Sequence, residues 1–264
     1  MSSEVETSRD LTFRQLNGIP PLRFASLGMT TPLFTALHIY HDNAPHSSAM
    51  NMAIDEALLE HAAVPSIRFY QWHSPALSFG YFGKFADVAD YSIERDLVRR
   101  WTGGGIVFHG DDLTYSIVIP ARDTVFALSS LSLYEKIHRA LCEAMATNGR
   151  AAELATVAAL CERRSRINSA VIDRRYRYCF ANPVRADVMI DDCKVAGAAQ
   201  RRTRLGLLQQ GSIQGVDLGN GLADRFAKAL SANCIERKIN EGILNRAREL
   251  AHRKYGDDYW LRKR

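Results

Sequence analysis

Residues 99–116 read RRWTGGGIVFHGDDLTYS and place three consecutive glycines, Gly103 to Gly105, between two runs that are typical of strands. Three glycines in a row cost backbone conformational entropy, so they indicate either a close approach of main chain to a ligand or a bend that only glycine tolerates. Arg99 and Arg100 come directly before them and could hold an acyl carbonyl, a carboxylate or a phosphate. A glycine-rich β-bulge with two surface arginines explains the segment equally well, so the glycines alone leave both interpretations open.

Short strand-like runs surround this segment. They are separated by Pro, Gly or Asp, residues that commonly end strands. The runs before residue 121 are SIRFYQWH, ALSFGYF, LVRRW, GIVFHG and LTYSIVIP, and those after residue 183 are VRADVMI, CKVAGAAQRR and LGLLQQGSI. Asp191 and Asp192 are expected to form a hairpin turn between the first two runs of the later group.

Helices are predicted on both sides of these strands. Ser47 is a candidate N-cap, and the apolar residues Met50, Ile54 and Leu58 follow it at four-residue steps, which is one face of a helix. Further helices are predicted at residues 132–149, about 221–232 and about 240–254. Helices at both ends of a strand-rich middle predict an α+β domain.

The composition is that of an ordinary globular protein, with 264 residues, 47% of them apolar and 24% charged. The start, MSSEVETSRD, lacks the positive charge and apolar stretch of a secretory signal, and no run of about eighteen apolar residues predicts a membrane span. The 5 cysteines form no C-x-x-C pair, which fits a reduced compartment. We therefore expect a cytoplasmic protein without a membrane partner.

Positive charge collects near the end of the chain, in IERKINEGILNRARELAHRKYGDDYWLRKR, and the formal net charge is +5. A basic surface of this kind could meet nucleic acid or an acidic protein, or could simply keep the protein soluble. A nucleic-acid-binding protein places aromatic residues among its basic clusters within a recognised module, and the sequence contains no such module. We therefore expect no nucleic acid partner.

Several segments, taken together and in order, resemble the biotin and lipoate protein ligase and octanoyltransferase superfamily. They are MNMAIDEALL, RFYQWHSPALSFGYF, RRWTGGGIVFHG, KVAGAAQRRTRLGLLQQGSI and the closing KYGDDYWLRKR. The resemblance covers about residues 37–215 and implies an α+β fold with a mixed, largely antiparallel sheet packed with helices. Within it, CFANPVRADVMIDDCKVAGAAQ is most similar to the octanoyltransferases that keep a nucleophilic cysteine shortly before a lysine strand.

The chain is accordingly expected to have three segments. Residues 1–36 show no sustained helix or strand period and contain the breakers of IPP, so they are predicted to be a loosely ordered extension. Residues 37–215 are the expected catalytic domain. Residues 216–264 are expected to form a helical segment packed on the same domain.

The resemblance implies that Cys179 accepts an acyl group and that Lys194 is the lysine of the pocket. A nearby ammonium raises the thiolate fraction of a cysteine and can hold the oxygen on which charge develops when a thioester is attacked. A small buried cysteine and a solvent-facing hairpin lysine remain the alternatives for these two residues. Cys142 and Cys161 are expected in the core, and Cys193 on the opposite side of the strand from Lys194.

The resemblance also implies a set of substrate-binding residues. They are Ser78, Gly80, Arg100, Gly103, Gly104, Gly105, His109, Tyr115, Asp187 and Gly197. His109 is expected at the pocket as an orienting or proton-handling group, although a strand histidine is more often a hydrogen-bonded structural residue. Tyr115 and Ser116 are expected to line the same cavity from the next strand, and Gln210 stands where close relatives are expected to carry histidine.

The activity that the resemblance implies is acyl transfer. An octanoyl chain would arrive as a thioester on acyl carrier protein, move to Cys179 and pass to a lysine of a lipoyl domain or of the glycine-cleavage H protein, with no metal or nucleotide cofactor. The alternative is an ATP-dependent lipoate-protein ligase, which activates free lipoate with Mg-ATP and needs no nucleophilic cysteine. Cys179 and the short stretch after GSI favour the transferase.

Overall fold

The computed structural model describes residues 31–146, 151–157, 183–218 and 221–263. The chain from Pro32 to Arg264 forms one compact unit. The features that position the site are its two sheets and the helices packed on them.

Within the described residues, the strands form two sheets. The strands are β1 (Leu37–His46), β2 (Ser66–Trp72), β3 (Ala76–Phe79), β4 (Asp96–Arg99), β5 (Ile106–His109), β6 (Leu113–Pro120), β7 (Glu153–Leu154), β8 (Val188–Ile190), β9 (Cys193–Arg202), β10 (Gly206–Ile213) and β11 (Cys234–Glu236). The strand-like runs of the sequence correspond to β2 to β6 and β8 to β10. The sequence analysis did not predict β1, β7 or β11.

The larger sheet has the strand order β11-β1-β2-β6-β10-β9-β8-β7, and the smaller has the order β4-β3-β5. In the larger sheet β1 is parallel to both β11 and β2, and each of the other neighbouring pairs is antiparallel. In the smaller sheet β3 is parallel to β4 and antiparallel to β5. The predicted α+β class and its mixed, largely antiparallel sheet are therefore confirmed.

Most of the described helices pack on the larger sheet or on one another, and the last of them, Asp258–Arg262, packs against β4 of the smaller sheet. They are α1 (Ser48–His61), α2 (Ser130–Met145), α3 (Leu222–Leu230), α4 (Glu241–Leu250) and α5 (Asp258–Arg262), with a π-helical turn at Ala251–Tyr255 and short 3₁₀ turns at Phe85–Asp87, Ala89–Ile93 and Thr124–Ala127. The predicted cap of α1 is present, because the Ser47 hydroxyl accepts a hydrogen bond from the Met50 amide.

Side chains of β2 alternate between two cores, as expected for a strand with helices on both faces. Ile67 and Phe69 lie in the cluster that α2 and α3 complete, and the Phe69 ring meets Phe226 of α3 edge-on at 6.3 Å. Tyr70 lies in the other cluster, with residues of α1 and α4. Arg68, also on this side, is fully buried.

The residues after β10 pack against the first helix. Arg246 of α4 forms an ion pair with Glu60 of α1 at 2.7 Å, and Lys254 forms one with Glu56 at 2.6 Å. These contacts join the C-terminal helices to α1, which contributes to the wall of the site described below.

The hairpin turn between β8 and β9 has the backbone that its sequence predicts. Asp191 and Asp192 have positive φ angles of 48° and 61°, which aspartate tolerates better than most residues and which a two-residue hairpin needs. Ile190 pairs with Cys193 across the turn. Lys194 is therefore fixed at the start of β9.

Candidate functional site

A pocket lies between the two sheets, and residues of both sheets line it. Strands β2, β6, β9 and β10 of the larger sheet, β3 and β5 of the smaller sheet, and helix α1 all contribute to its lining. Of the predicted site residues, those that line it are Ser78, Arg100, His109, Lys194 and Gly197. The pocket thus brings together residues far apart in the sequence.

Lys194 enters the pocket wall as half of a buried ion pair. Its Nζ is 2.7 Å from Asp187 Oδ2, and the two side chains are 5% and 0% exposed. The ammonium is therefore charge-compensated although it is shielded from water, which excludes the solvent-facing alternative for this lysine. Asp187, predicted to bind substrate, instead lies behind Lys194 and does not line the pocket.

The Asp187 carboxylate is held by further hydrogen bonds. The Tyr134 hydroxyl donates to Oδ1 at 2.5 Å, and the Val184 amide donates to Oδ2 at 2.6 Å. Burial and the Asp187 charge raise the pKa of Tyr134, so the phenol remains a donor. Ala186, directly before the aspartate, has a left-handed backbone with φ 67°. Asp187 is thus fixed from several directions, and Lys194 is positioned through it.

Gly197 leaves the space that Lys194 occupies. A Cβ at this position would lie 2.6 Å from Lys194 Nζ and 3.2 Å from Asp187 Oδ1. Because real side chains do not approach this closely, a residue other than glycine would displace the ammonium.

His109 lies at the pocket wall in a chain of hydrogen bonds. Its Nε2 is 2.7 Å from Ser78 Oγ, and its Nδ1 is 2.8 Å from Asp112 Oδ2. The Trp72 ring stacks on the imidazole with the ring centroids 4.1 Å apart. His109 therefore lies at the pocket, as predicted. Its hydrogen bonds to Ser78 and Asp112 were not predicted from the sequence.

Burial lowers the pKa of His109 below its ordinary value, and this outweighs the opposing effect of Asp112. Burial by itself would raise the pKa of Asp112, but hydrogen bonds from His109, Ser212 and Thr114 lower it overall. The histidine is therefore neutral and the aspartate ionised at neutral pH.

The two adjacent arginines have different positions. Arg100 donates from Nη1 to Ser78 Oγ at 2.6 Å and from Nη2 to the carbonyl oxygens of Gly103 and Gly105 at 3.1 and 2.8 Å. Arg99, also considered as a ligand-binding residue, does not line the pocket.

Arg99 instead binds main chain outside the pocket. Its guanidinium donates to the carbonyl oxygens of five residues, which are Tyr81, Gly83, Trp260, Leu261 and Lys263. It therefore ties the residues around α5 to the smaller sheet.

The three glycines lie next to the pocket but are not part of its lining. A Cβ on Gly80 would run into the carbonyl oxygens of Gly103 and Gly104, so the chain packs main chain against main chain here. Gly104 has φ 85°, a conformation that favours glycine. This loop contacts Gly80 and the Arg100 guanidinium, and Gly80, Gly103, Gly104 and Gly105 lie outside the lining of the pocket.

The structure corrects the predicted positions of Tyr115 and Ser116. The Tyr115 ring is fully buried in the core that α2 and α3 complete, with its hydroxyl 3.2 Å from His138 Nε2. The Ser116 hydroxyl donates to Asp55 Oδ1 at 2.7 Å. Adjacent residues of a strand point to opposite faces, so the two could not both line one cavity.

Several pocket residues were not predicted as site residues. Gln210 lines the pocket, donating from Nε2 to Asp55 Oδ2 at 2.7 Å and accepting from the Thr102 hydroxyl at 2.8 Å. Side chains alternate along the strand LGLLQQGSI, which places Gln210 and Ser212 on one face. This alternation is the sequence signal that could have identified them as pocket residues. The partners themselves depend on tertiary contacts that a single sequence does not reveal.

The structure describes some of the cysteines for which a prediction was made from the sequence, and others lie outside the described residues. Cys179, the predicted acyl acceptor, and Cys161 lie outside the described residues. Cys142 is buried on α2, as predicted, and burial raises the pKa of its thiol to about 12. Cys193 is exposed whereas the neighbouring Lys194 side chain is buried, which agrees with their predicted opposite orientation.

The described residues contain neither a metal-binding cluster nor a membrane-spanning helix. Among the described residues, no group of three or more His, Cys, Asp and Glu side chains is arranged to hold a metal ion. None of the helices in that part of the chain is long and apolar enough to cross a membrane.

Comparison with known families gives one match that covers most of the chain. The sequence profile of the lipoyl protein ligase A/B catalytic domain matches residues 47–252. This range contains each of the residues that line the pocket.

Similar proteins include several that carry the name octanoyltransferase LipM. The protein of Oceanobacillus iheyensis is 37% identical over 180 residues, which are 65% of this chain and 62% of that protein. The alignment thus spans less than two thirds of that relative. The proteins of Macrococcus caseolyticus and Carboxydothermus hydrogenoformans are each 34% identical, over 80% and 81% of this chain and 76% and 75% of their own lengths.

Solved structures of similar fold include a lipoate-protein ligase A bound with ATP, with a TM-score of 0.66 and 21% identity over 86% of this chain and 98% of that one. A putative lipoate protein ligase from T. acidophilum with bound lipoic acid gives a TM-score of 0.65 and 22% identity over the same shares. At these identities the likeness concerns the fold.

Proposed function

The chain belongs to the lipoyl protein ligase A/B catalytic domain family, and on that premise we propose that it is an octanoyltransferase. It takes an octanoyl group from octanoyl acyl carrier protein and passes it, through a cysteine thioester, to a lysine of a lipoyl domain or of the glycine-cleavage H protein. The observation that carries this proposal is the similarity to proteins named octanoyltransferase over as much as 81% of the chain.

The chemistry of the pocket supports acyl transfer. Lys194 presents a cation at the wall of the pocket, and Asp187 holds it in place at 2.7 Å. A fixed ammonium in a site shielded from water stabilises the negative oxygen that forms when a thioester carbonyl is attacked. A thioester is already activated, so this reaction needs no adenylation.

Cys179 is the proposed acyl acceptor on the strength of the sequence, since it lies outside the described residues. Thiolate is the reactive form of cysteine, and a nearby positive charge increases its fraction at neutral pH. In this proposal Lys194 serves both the thiol and the thioester oxygen.

The experiment compares two donors with the same acceptor. The protein is incubated with a lipoyl domain and either octanoyl acyl carrier protein or octanoic acid plus Mg-ATP, and the mass of the lipoyl domain is measured. We expect the octanoyl mass increase with the thioester donor and without ATP. Modification only with free acid and Mg-ATP would instead identify an ATP-dependent ligase.

Substitutions then test the two proposed catalytic residues. Cys179→Ser should abolish the hydroxylamine-sensitive acyl-enzyme, because a serine hydroxyl stays un-ionised at neutral pH. Lys194→Met keeps much of the side-chain volume, and should slow acylation by about 100-fold or more, as expected for loss of one oxyanion-stabilising group. Cys193→Ser is the matched control, since this thiol is exposed on the other side of the strand. An acyl group found on Cys193 would overturn the assignment.

A further inference from the structure

Ser78, His109 and Asp112 form a linear chain of hydrogen bonds at the pocket, with distances of 2.7 Å from Ser78 Oγ to His109 Nε2 and 2.8 Å from His109 Nδ1 to Asp112 Oδ2. We infer that these residues form a second nucleophilic centre, in which Ser78 attacks acyl thioesters bound in the pocket and water completes their hydrolysis. This activity goes beyond the proposed transfer reaction and does not use Cys179.

The indole of Trp72 can only donate, and it sets the directions of the hydrogen bonds around Asp112. The indole Nε1 of Trp72 donates to Thr114 Oγ1 at 2.8 Å, so the Thr114 hydroxyl gives its own proton to Asp112 Oδ2 at 2.7 Å. Ser212 Oγ lies 2.7 Å from the same oxygen. Asp112 is therefore an acceptor, and His109 carries its proton on Nδ1.

A donor-only group also sets the direction at the Ser78 end. Arg100 Nη1 donates to Ser78 Oγ at 2.6 Å, so the serine hydroxyl turns its proton toward His109 Nε2. A serine donating to a histidine whose other nitrogen is held by a carboxylate is the arrangement that activates a hydroxyl as a nucleophile.

The charges around Ser78 and His109 favour nucleophilic attack by the serine. Burial lowers the pKa of His109, so its Nε2 is free to take a proton at neutral pH. The Arg100 guanidinium, close to Ser78 Oγ, is positioned to meet the negative charge that develops on the attacked carbonyl. Asp112 does not touch the pocket and acts through His109 as a positioning residue.

Access to the reacting atoms comes from the pocket itself. Ser78 and His109 both line it, opposite apolar and aromatic groups such as Met52 and Tyr70. The Trp72 ring stacks on the imidazole and so restricts rotation of the His109 ring. An acyl thioester bound in the pocket would therefore have its carbonyl within reach of Ser78 Oγ.

Each half of the reaction balances its bonds and protons. In the first, a bond forms between Ser78 Oγ and the carbonyl carbon, the hydroxyl proton moves to His109 Nε2, and the carbon–sulfur bond breaks as the thiol leaves with that proton. In the second, water attacks the Ser78 ester and gives a proton to Nε2. The ester bond then breaks, Ser78 recovers the proton, and the free acid is released.

The first experiment measures thiol release from the octanoyl thioester of N-acetylcysteamine, without acyl carrier protein or lipoyl domain. The wild-type chain and Cys179→Ser should both hydrolyse the thioester, whereas Ser78→Ala should be slower by about 100-fold or more. Ser231→Ala is the matched control and should retain the rate, because Ser231 is also a buried serine and its hydroxyl donates to the Asn233 carbonyl oxygen, outside the lining of the pocket.

The outcomes separate this inference from the proposed function. Hydrolysis that disappears in Cys179→Ser and persists in Ser78→Ala would overturn the inference and assign the activity to the thiol. Transfer to a lipoyl domain is measured in a different assay, so its presence or failure does not decide the role of Ser78.

A second measurement uses the wild-type protein, so that the test does not depend on the folding of Ser78→Ala. A fluorophosphonate probe should label Ser78, which peptide mass spectrometry would locate, and octanoyl thioester should slow the labelling. Absence of label on Ser78 under conditions that label a serine hydrolase would overturn the inference.

The role of Asp112 is tested by its amide variant. In Asp112→Asn the amide can donate to Nδ1, which places the proton of His109 on Nε2, so kcat should fall by about 100-fold or more while KM changes little. The wild-type rate should be level near neutral pH and fall only below pH 6.5, because the pKa of His109 is lowered. Equal pH profiles and an unchanged kcat in the variant would overturn the positioning role.

Discussion

Lys194 Nζ and Asp187 Oδ2 are 2.7 Å apart, with both side chains shielded from solvent. Burying an ammonium is costly, and this one is tolerated because a carboxylate with its own hydrogen bonds lies against it. Asp187 thereby determines where the lysine charge stands in the pocket.

Asp187→Asn should lower the free energy of unfolding by about 3 kcal/mol, because it leaves the Lys194 ammonium buried without its anion. Urea denaturation followed by tryptophan fluorescence measures this. Asp191→Asn removes the same charge from an exposed turn nearby, and asparagine tolerates its positive φ, so this control should change stability by less than about 0.5 kcal/mol. Equal effects of the two substitutions would contradict the importance of the ion pair.

Gly197→Ala should reduce acyl transfer, because the added methyl group would occupy the place of Lys194 Nζ. We also expect a loss of about 1–3 kcal/mol in unfolding free energy from the overpacking. For Gly103→Ala, where a Cβ would meet nothing within 4 Å, the unfolding free energy should stay equal or rise by up to about 1 kcal/mol. Full transfer activity in Gly197→Ala would show that Lys194 can move without consequence.

Stability should fall as pH falls from 6.5 toward 4, because burial lowers the pKa of His138 to about 4. Over this interval the unfolded chain binds a proton at this residue and the folded chain does not, so acid favours unfolding by up to about 3 kcal/mol. Urea midpoints measured across this pH range would show the slope. His138→Gln should make the slope shallower, and the slope that remains includes the contribution of His109, whose pKa burial also lowers. His252→Gln, at an exposed position, is the control substitution.

Arg99→Lys should destabilise the protein by about 2–4 kcal/mol and expose the segment after residue 255 to proteolysis. A lysine carries all its N–H donors on one nitrogen and cannot reach the carbonyl oxygens of Leu261, Lys263 and Tyr81 as the planar guanidinium does. Limited proteolysis with mass analysis would test this. Arg262→Lys, an exposed residue paired with Asp258, is the control and should resemble the wild-type chain.

The elements that could be predicted are those whose own sequence shows a helix or strand pattern. Strands β6 and β10 alternate between the two cores, and α1 has a cap and apolar residues at four-residue steps, so local sequence identifies them. Strand β1, LHIYHDNAPH, is largely polar and contains Pro45, and its pairing depends on two distant parallel neighbours. The local sequence therefore does not predict a strand at this position.

The candidate site was predictable mainly through resemblance. Lys194, His109 and Ser78 lie at the pocket as expected. Asp112 is only three residues after His109, yet its hydrogen bond depends on the turn between β5 and β6, which a single sequence does not specify. Tyr115 and Ser116 point to opposite faces of β6, as strand alternation requires, so a prediction that both line the pocket was wrong.

The parallel pairing of β1 with β11 constrains how a nascent chain can fold. Leu37 pairs with Cys234, so β1, which leaves the ribosome before β11, must wait for a partner about 200 residues behind it. At ordinary rates of synthesis that wait lasts about 10–40 s, during which one edge of β1 remains open to other chains. Closure of so long a loop is also slow once both strands exist. The sheet that supports the pocket is therefore among the last parts of this protein to be completed.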